Sequence, residues 1–191
     1  MRVVTVCRVD TAVTKSALMD ILVLRLIHIV SGIFWVGAAI TMFLFLQPTA
    51  EATAPEGQRF MLHLLRNRRF SEVVLGSALL TVGAGAILFW VDSNGLQLTW
   101  MSRPPGLGFT IGALAALVAV VLFMFIGYPT GRRLIAIGSR LEAERRPPSA
   151  DEQQTLARSQ AVVRRVGMTV VVLLAVAAVA MATARYWVLV L

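Results

Sequence analysis

Leu24-Arg-Leu-Ile-His-Ile-Val-Ser-Gly-Ile-Phe-Trp-Val-Gly37 is an apolar stretch that carries a histidine, a tryptophan and two glycines. It lies inside a longer apolar run, Ile21–Leu46. A run of that length spans a hydrocarbon core, which needs ~20 helical residues. Three more runs meet the same criterion: Val73–Val91, Leu107–Tyr128 and Val166–Val190. They are continuous rather than alternating, so membrane β-strands are excluded. The chain has 191 residues and is 58% hydrophobic, well above the ~45–50% of soluble domains. The expected fold is an all-α membrane protein, an antiparallel bundle of four transmembrane helices. Residues 19–191 form the membrane domain, and the segments between the spans are too short for a second globular unit.

The formal charge of +8 matters less than its placement. Twelve of the 18 basic residues lie in two segments. Arg59, Arg66, Arg68 and Arg69 separate the first two spans; Arg132, Arg133, Arg140, Arg145, Arg146, Arg158, Arg164 and Arg165 separate the last two. Only Arg103 lies between spans two and three. Basic residues concentrate in cytoplasmic loops, which places these two segments inside and both termini outside. The arginines flank spans and have acidic neighbours such as Glu142 and Glu144, which argues against a nucleic-acid role. The bilayer is the expected partner, with homo-oligomerisation or a larger membrane complex also open.

Residues 1–18 contain Arg2, Arg8 and Lys15 and no apolar run, so they do not read as a signal peptide. Their charge sits on the outer side, against the rule. A translation start at Met19 removes that conflict and is the expectation for this tail. Cys7 is the sole cysteine, so no intramolecular disulfide or cysteine-pair metal site forms.

Proline and turn signals set the expected boundaries. Helix one runs from about Asp20 to Gln47 and stops at Pro48, whose ring and missing N–H oppose continuation. Gln58–Phe70 reads as one basic interfacial helix with Phe60, Met61, Leu64 and Leu65 on its apolar stripe. Arg68 and Glu72, four apart, pair on a helix face. Trp90 and Trp100 suit the outer interface, around a turn at Asn94-Gly95. Span three ends near Tyr128-Pro129, and Leu134, Ile137 and Leu141 mark a separate short helix after it. Ser149-Ala-Asp-Glu152 reads as a capping box that starts the last helix. Small residues recur four apart at Ser77, Thr81 and Gly85; at Gly108, Gly112 and Ala116; and at Ala178 and Ala182. Such stripes permit the close packing on which helix association in lipid depends.

His28 is the residue with chemistry. Ionisable groups at membrane depth are costly and usually face a protein interior or bind something. His28 lies about eight residues from the outer end of its span, ~12 Å along the axis. Arg25, His28, Gly32, Trp35 and Ala39 fall on one stripe. Gly32 leaves room one turn from the imidazole, where a planar ligand can lie with His28 as axial ligand to iron. Arg25 can then pair with a haem propionate. The alternative is structural: His28 hydrogen-bonds a Ser or Thr of a neighbouring helix and Arg25 reaches to headgroups.

No other span holds His, Cys or Lys. Met181 sits at about the depth of His28, and imidazole with thioether suits haem b or copper; methionine is also ordinary core filler. His63 belongs to the cytoplasmic side. Arg185, beside Tyr186-Trp187, marks the outer end of the last span. The spans contain no nucleophile–base pair, phosphate loop or paired carboxylate, so binding rather than catalysis is expected.

The pattern His28-x6-Trp35-x-Gly37, with its apolar run ending at Pro48, resembles the first helix of the copper-resistance D-type membrane domain. It is similar as well to HemJ-type protoporphyrinogen oxidases and to other small bacterial four-helix membrane proteins. Arg69 with Gly83 and Gly85 loosely matches the second helix of that group. The resemblance covers about the first half of the chain. It implies a bacterial inner-membrane protein. From the HemJ-like group it implies haem b on His28; from the copper-resistance group, copper handling.

Overall fold

In the computed structural model, residues 11–189 are described, with side chains from Leu18 onward. The first ten residues of the tail, and with them most of the expectation of a start at Met19, lie outside that range. All regular structure among the described residues is helical: α1 Thr11–Ile40, α2 Gln47–Ala52, α3 Glu56–Arg66, α4 Arg68–Asp92, α5 Leu98–Met101, α6 Gly106–Leu122, α7 Tyr128–Glu144 and α8 Ala150–Thr183. Four continuous stretches are long and apolar enough to cross a membrane: Leu18–Ala52, Arg68–Asp92, Gly106–Glu144 and Ala150–Leu189. The chain is a multi-pass membrane protein by that measure. Its outward faces carry Ile33 (70% exposed), Leu79 (64%) and Phe125 (77%), a surface that lipid solvates and water does not.

Two prolines expected to end helices do not. α1 passes through a π-helical segment, Thr41–Leu46, into α2, where Pro48 occupies an early position. α6 passes through a second one, Phe123–Gly127, into α7, where Pro129 sits likewise. A proline ring clashes with the carbonyl four residues back, here that of Leu44 or Phe125, and both lie within the widened turns. The π geometry moves that carbonyl aside and absorbs the bend. What reads as a span plus a separate short helix is therefore one 39-residue helix, Gly106–Glu144. At ~1.5 Å per residue it is ~58 Å long, nearly twice the ~30 Å hydrocarbon core. It and α8 extend well beyond the apolar layer and pack on each other there.

The reverse correction applies to Gln58–Phe70, which is not one helix. α3 ends at Arg66, and extended Asn67 caps α4, its side chain accepting from the Arg69 N–H. Asparagine is a preferred N-cap. The capping box at Ser149 is present in both halves. The Arg68–Glu72 pair forms at 3.1 Å.

α1 packs chiefly on α4, and α6 on α8. The α1–α4 pair is antiparallel: Arg25 meets Asp92, His28 meets Gly85 and Thr81, and Gly32 meets Thr81. In the α6–α8 pair, a Cβ on Gly108 would meet Ala184 at 2.7 Å, and one on Gly112 would meet Met181 at 2.6 Å. The stripes predicted on these helices are partly out of register. α6 continues inward through Ala115 and Ala119, following the 3.6-residue repeat rather than a strict step of four. α8 buries Ala177 and Ala180, and the 3-10 turn that continues it, Ala184–Leu189, buries Ala184, whereas Ala178 and Ala182 face outward. The two pairs meet around Trp35, Ala119, Val170 and Leu174. Below that core, Phe43 of the first π segment packs on Gly167 of α8, and Val166 contacts the Gly127 turn of the second.

Candidate functional site at His28

α1 brings His28, Ser31 and Gly32 against Thr81 and Gly85 of α4, with Ser77 one turn from Thr81 on the same helix. Ser31 and Gly32 stand three and four residues from His28, and Ser77, Thr81 and Gly85 recur every four, so they share facing stripes. Gly85 is what admits the imidazole: a Cβ there would stand 2.8 Å from His28 Cε1 and 2.9 Å from Nδ1. With no side chain in the way, the ring lies against the α4 backbone. His28 Nδ1 donates to the Thr81 carbonyl at 2.8 Å. A carbonyl only accepts, so in the neutral ring the proton sits on Nδ1 and the lone pair on Nε2.

Nε2 has no hydrogen-bond partner among the described residues, and no buried side-chain N or O there lacks one. Nε2 is therefore not fully sealed within the helix pair, and His28 as a whole is part-buried. Metal-ligating histidines characteristically give one ring N–H to a carbonyl and keep the other nitrogen for the ligand.

Beneath the ring lies a pair of hydroxyls. Ser31 Oγ donates to the Ile27 carbonyl at 2.5 Å; Thr81 Oγ1 lies 2.7 Å from the Ser77 carbonyl and 2.9 Å from Ser31 Oγ. Ser31 Oγ also lies 3.4 Å from the His28 carbonyl, so two hydroxyl protons serve four contacts and not every contact has a proton of its own. Arg25, one turn toward the N-terminal end of α1, pairs with Asp92 at 3.6 Å, both side chains being partly exposed.

The other predicted residues have contacts of their own. A Cβ on Gly32 would meet the Thr81 methyl at 3.4 Å, so the room beside Gly32 faces α4. Trp35 is buried in the central core. Met181 lays its Cγ and Cε over Gly112 of α6; it packs in the other helix pair, whereas His28 packs on α4. Trp100, expected at the headgroups, stacks on Phe109 at 6.3 Å and meets Phe89 edge-on at 5.6 Å. His63 bonds only its own helix, at the Arg59 carbonyl. Thr81 and Gly85 were visible in the sequence as packing residues. The signal that joins them to the site is that their four-residue spacing matches the depth of the one intramembrane histidine.

Among the described residues no three His, Cys, Asp or Glu side chains cluster. Compared with protein-family models, curated proteins and solved structures, the chain matches none.

Proposed function

We propose that this is a small bacterial inner-membrane protein, an antiparallel four-helix bundle with both termini outside, that binds haem b through Nε2 of His28. The observation that carries this reading is the hydrogen bond from Nδ1 to the Thr81 carbonyl over Gly85. It fixes the ring and leaves Nε2 as an open donor to iron. Bound haem would supply one-electron chemistry or be cargo for transfer. The chain's own residues hold and orient the imidazole: Gly85 admits it, Thr81 fixes it, and Ser31 and Ser77 position Thr81. Arg25 suits a propionate and would exchange Asp92 for it. His28 would be the residue that holds the group, since Met181 packs against Gly112 in the other helix pair.

A second reading, a non-catalytic subunit, is favoured by the same hydrogen bond, since a tie between two helices is a sufficient role for Nδ1. The visible spectrum of protein expressed with ample haem separates the two. A Soret band that His28→Ala abolishes, with the protein still folded, supports haem. A colourless protein whose His28→Ala variant is equally well folded rejects haem. Copper determined on the same sample tests the copper-handling alternative.

A further inference from the structure

Three of the four spans meet the arginine-rich end of the bundle with two consecutive arginines. Arg68-Arg69 open α4, Arg132-Arg133 follow the second π segment in α7, and Arg164-Arg165 precede the apolar part of α8. They stand where apolar sequence gives way to polar, at the level of lipid headgroups. All six are exposed.

Intramolecular pairing uses up most of the acidic charge at this end. Glu51 takes Arg164, Glu72 takes Arg68 and Glu142 takes Arg66, while Glu144 and Glu152 share Arg140 and Arg146. Arg69, Arg132, Arg133 and Arg165 form no ion pair among the described residues; Arg132 only overlies the Tyr128 ring, at 5.9 Å. Two features of α3 add to this. Phe60 is 56% exposed and stands beside exposed Arg59, the combination by which an amphipathic helix lies in a membrane surface. The helix is tied to the bundle by Leu62 against Gly138 and by Arg66 with Glu142.

We propose that Arg69, Arg132, Arg133 and Arg165 bind the phosphates of anionic phospholipids and that these lipids stabilise the folded bundle. Guanidinium groups match phosphate oxygens in two-pronged geometry, and basic residues at a bilayer surface attract anionic headgroups. A ligand bound only by the folded state raises its unfolding temperature. The inference does not depend on a haem at His28.

The test is thermal unfolding of the full chain in neutral detergent with added phosphatidylglycerol, phosphatidylcholine or inorganic phosphate. Phosphatidylglycerol should raise the midpoint by several degrees and phosphatidylcholine should not. The increment should vanish at about 1 M NaCl, where the screening length is ~3 Å. Arg132→Gln with Arg133→Gln, and separately Arg69→Gln with Arg165→Gln, should each cut the increment without lowering the lipid-free midpoint. Equal stabilisation by the two lipids, an increment indifferent to salt in the wild-type chain, or an equal effect from inorganic phosphate alone would overturn the proposal.

Discussion

The α1–α4 and α6–α8 pairs make comparably extensive contact by opposite means. α1 and α4 are joined by polar groups: His28 to Thr81, Thr81 to Ser31, and Arg25 to Asp92. α6 and α8 are joined by closeness, with Gly108 and Gly112 against Ala180, Met181 and Ala184. In lipid there is no hydrophobic drive between helices, and an interhelical hydrogen bond contributes on average only ~0.6 kcal/mol. Close packing is collectively larger and does not tolerate added volume. The polar pair can therefore lose a bond and persist, whereas the packed pair cannot take a side chain. The ligand site proposed at His28 lies on the first kind of interface.

The largest effect expected follows from this contrast. In Gly108→Leu the new Cβ would meet the Cβ and Cα of Ala184 at 2.7 and 2.9 Å. Backbone cannot swing aside, so α6 and α8 must part. A loss of ~3 kcal/mol is expected, measured by denaturant unfolding in micelles. Gly112→Ala meets the flexible Met181 first and should lose less, ~1–2 kcal/mol. On the polar side, His28→Ala should cost ~1 kcal/mol and Ser31→Ala ~0.6 kcal/mol. If His28→Ala proved more damaging than Gly108→Leu, the comparison would be reversed.

Gly85→Ala gives the sharper test. Its Cβ collides with the imidazole edge, so the ring must turn and the bond to Thr81 breaks; the lost bond, ~1 kcal/mol, and the displaced ring together should outweigh what alanine gains as a helix former. In the His28→Ala background the collision is gone, and alanine is the better helix former by ~1 kcal/mol. The same substitution should then be neutral or stabilising. That change of sign measures the coupling between the two residues. Independent effects would mean that Gly85 does not hold the imidazole.

How far this was legible in the sequence differs by feature. Span count and helix type follow from the length and continuity of the apolar runs, because in a bilayer every backbone group must bond within its own helix. The capping box at Ser149 and the Arg68–Glu72 pair are local and follow from spacing alone. Pro48 and Pro129 misled, because whether a proline ends a helix depends on whether the preceding turn can widen. The stripe expected at Ala178 and Ala182 missed the buried Ala177, Ala180 and Ala184 because alanines occupy so many neighbouring positions that composition does not single out a face; Gly108 and Gly112 across the interface do. At the site, His28 stood out by depth. Its partner did not, because a backbone carbonyl leaves no mark in the sequence. Met181 matched His28 in depth but packs on Gly112, since depth along a helix does not say which way a side chain points.

The smallest effect lies at the arginine-rich end, in the junction that ties α7 to α8. Arg146 bonds Glu152 at 2.7 and 2.9 Å, the Ser149 N–H donates to the same carboxylate, and Arg140 reaches it from α7. These donors, Arg146 first, hold the Glu152 carboxyl well below its ordinary value near 4.5. The folded state thus keeps the proton off where the unfolded state would take it up. The contribution to stability is full above about pH 5 and declines as pH falls through and below 4.5. Because the carboxylate lies at the protein surface, only partly covered by its partners, salt and solvent still screen it, and the global midpoint should scarcely move. Amide exchange at Asp151–Gln154 should instead accelerate as the pH is lowered from 5 to 3, after correction for the intrinsic rate, and in Glu152→Gln it should be fast throughout. Exchange that responds equally in wild type and Glu152→Gln would place the acid sensitivity elsewhere and leave the α7–α8 junction resting on its apolar contacts alone.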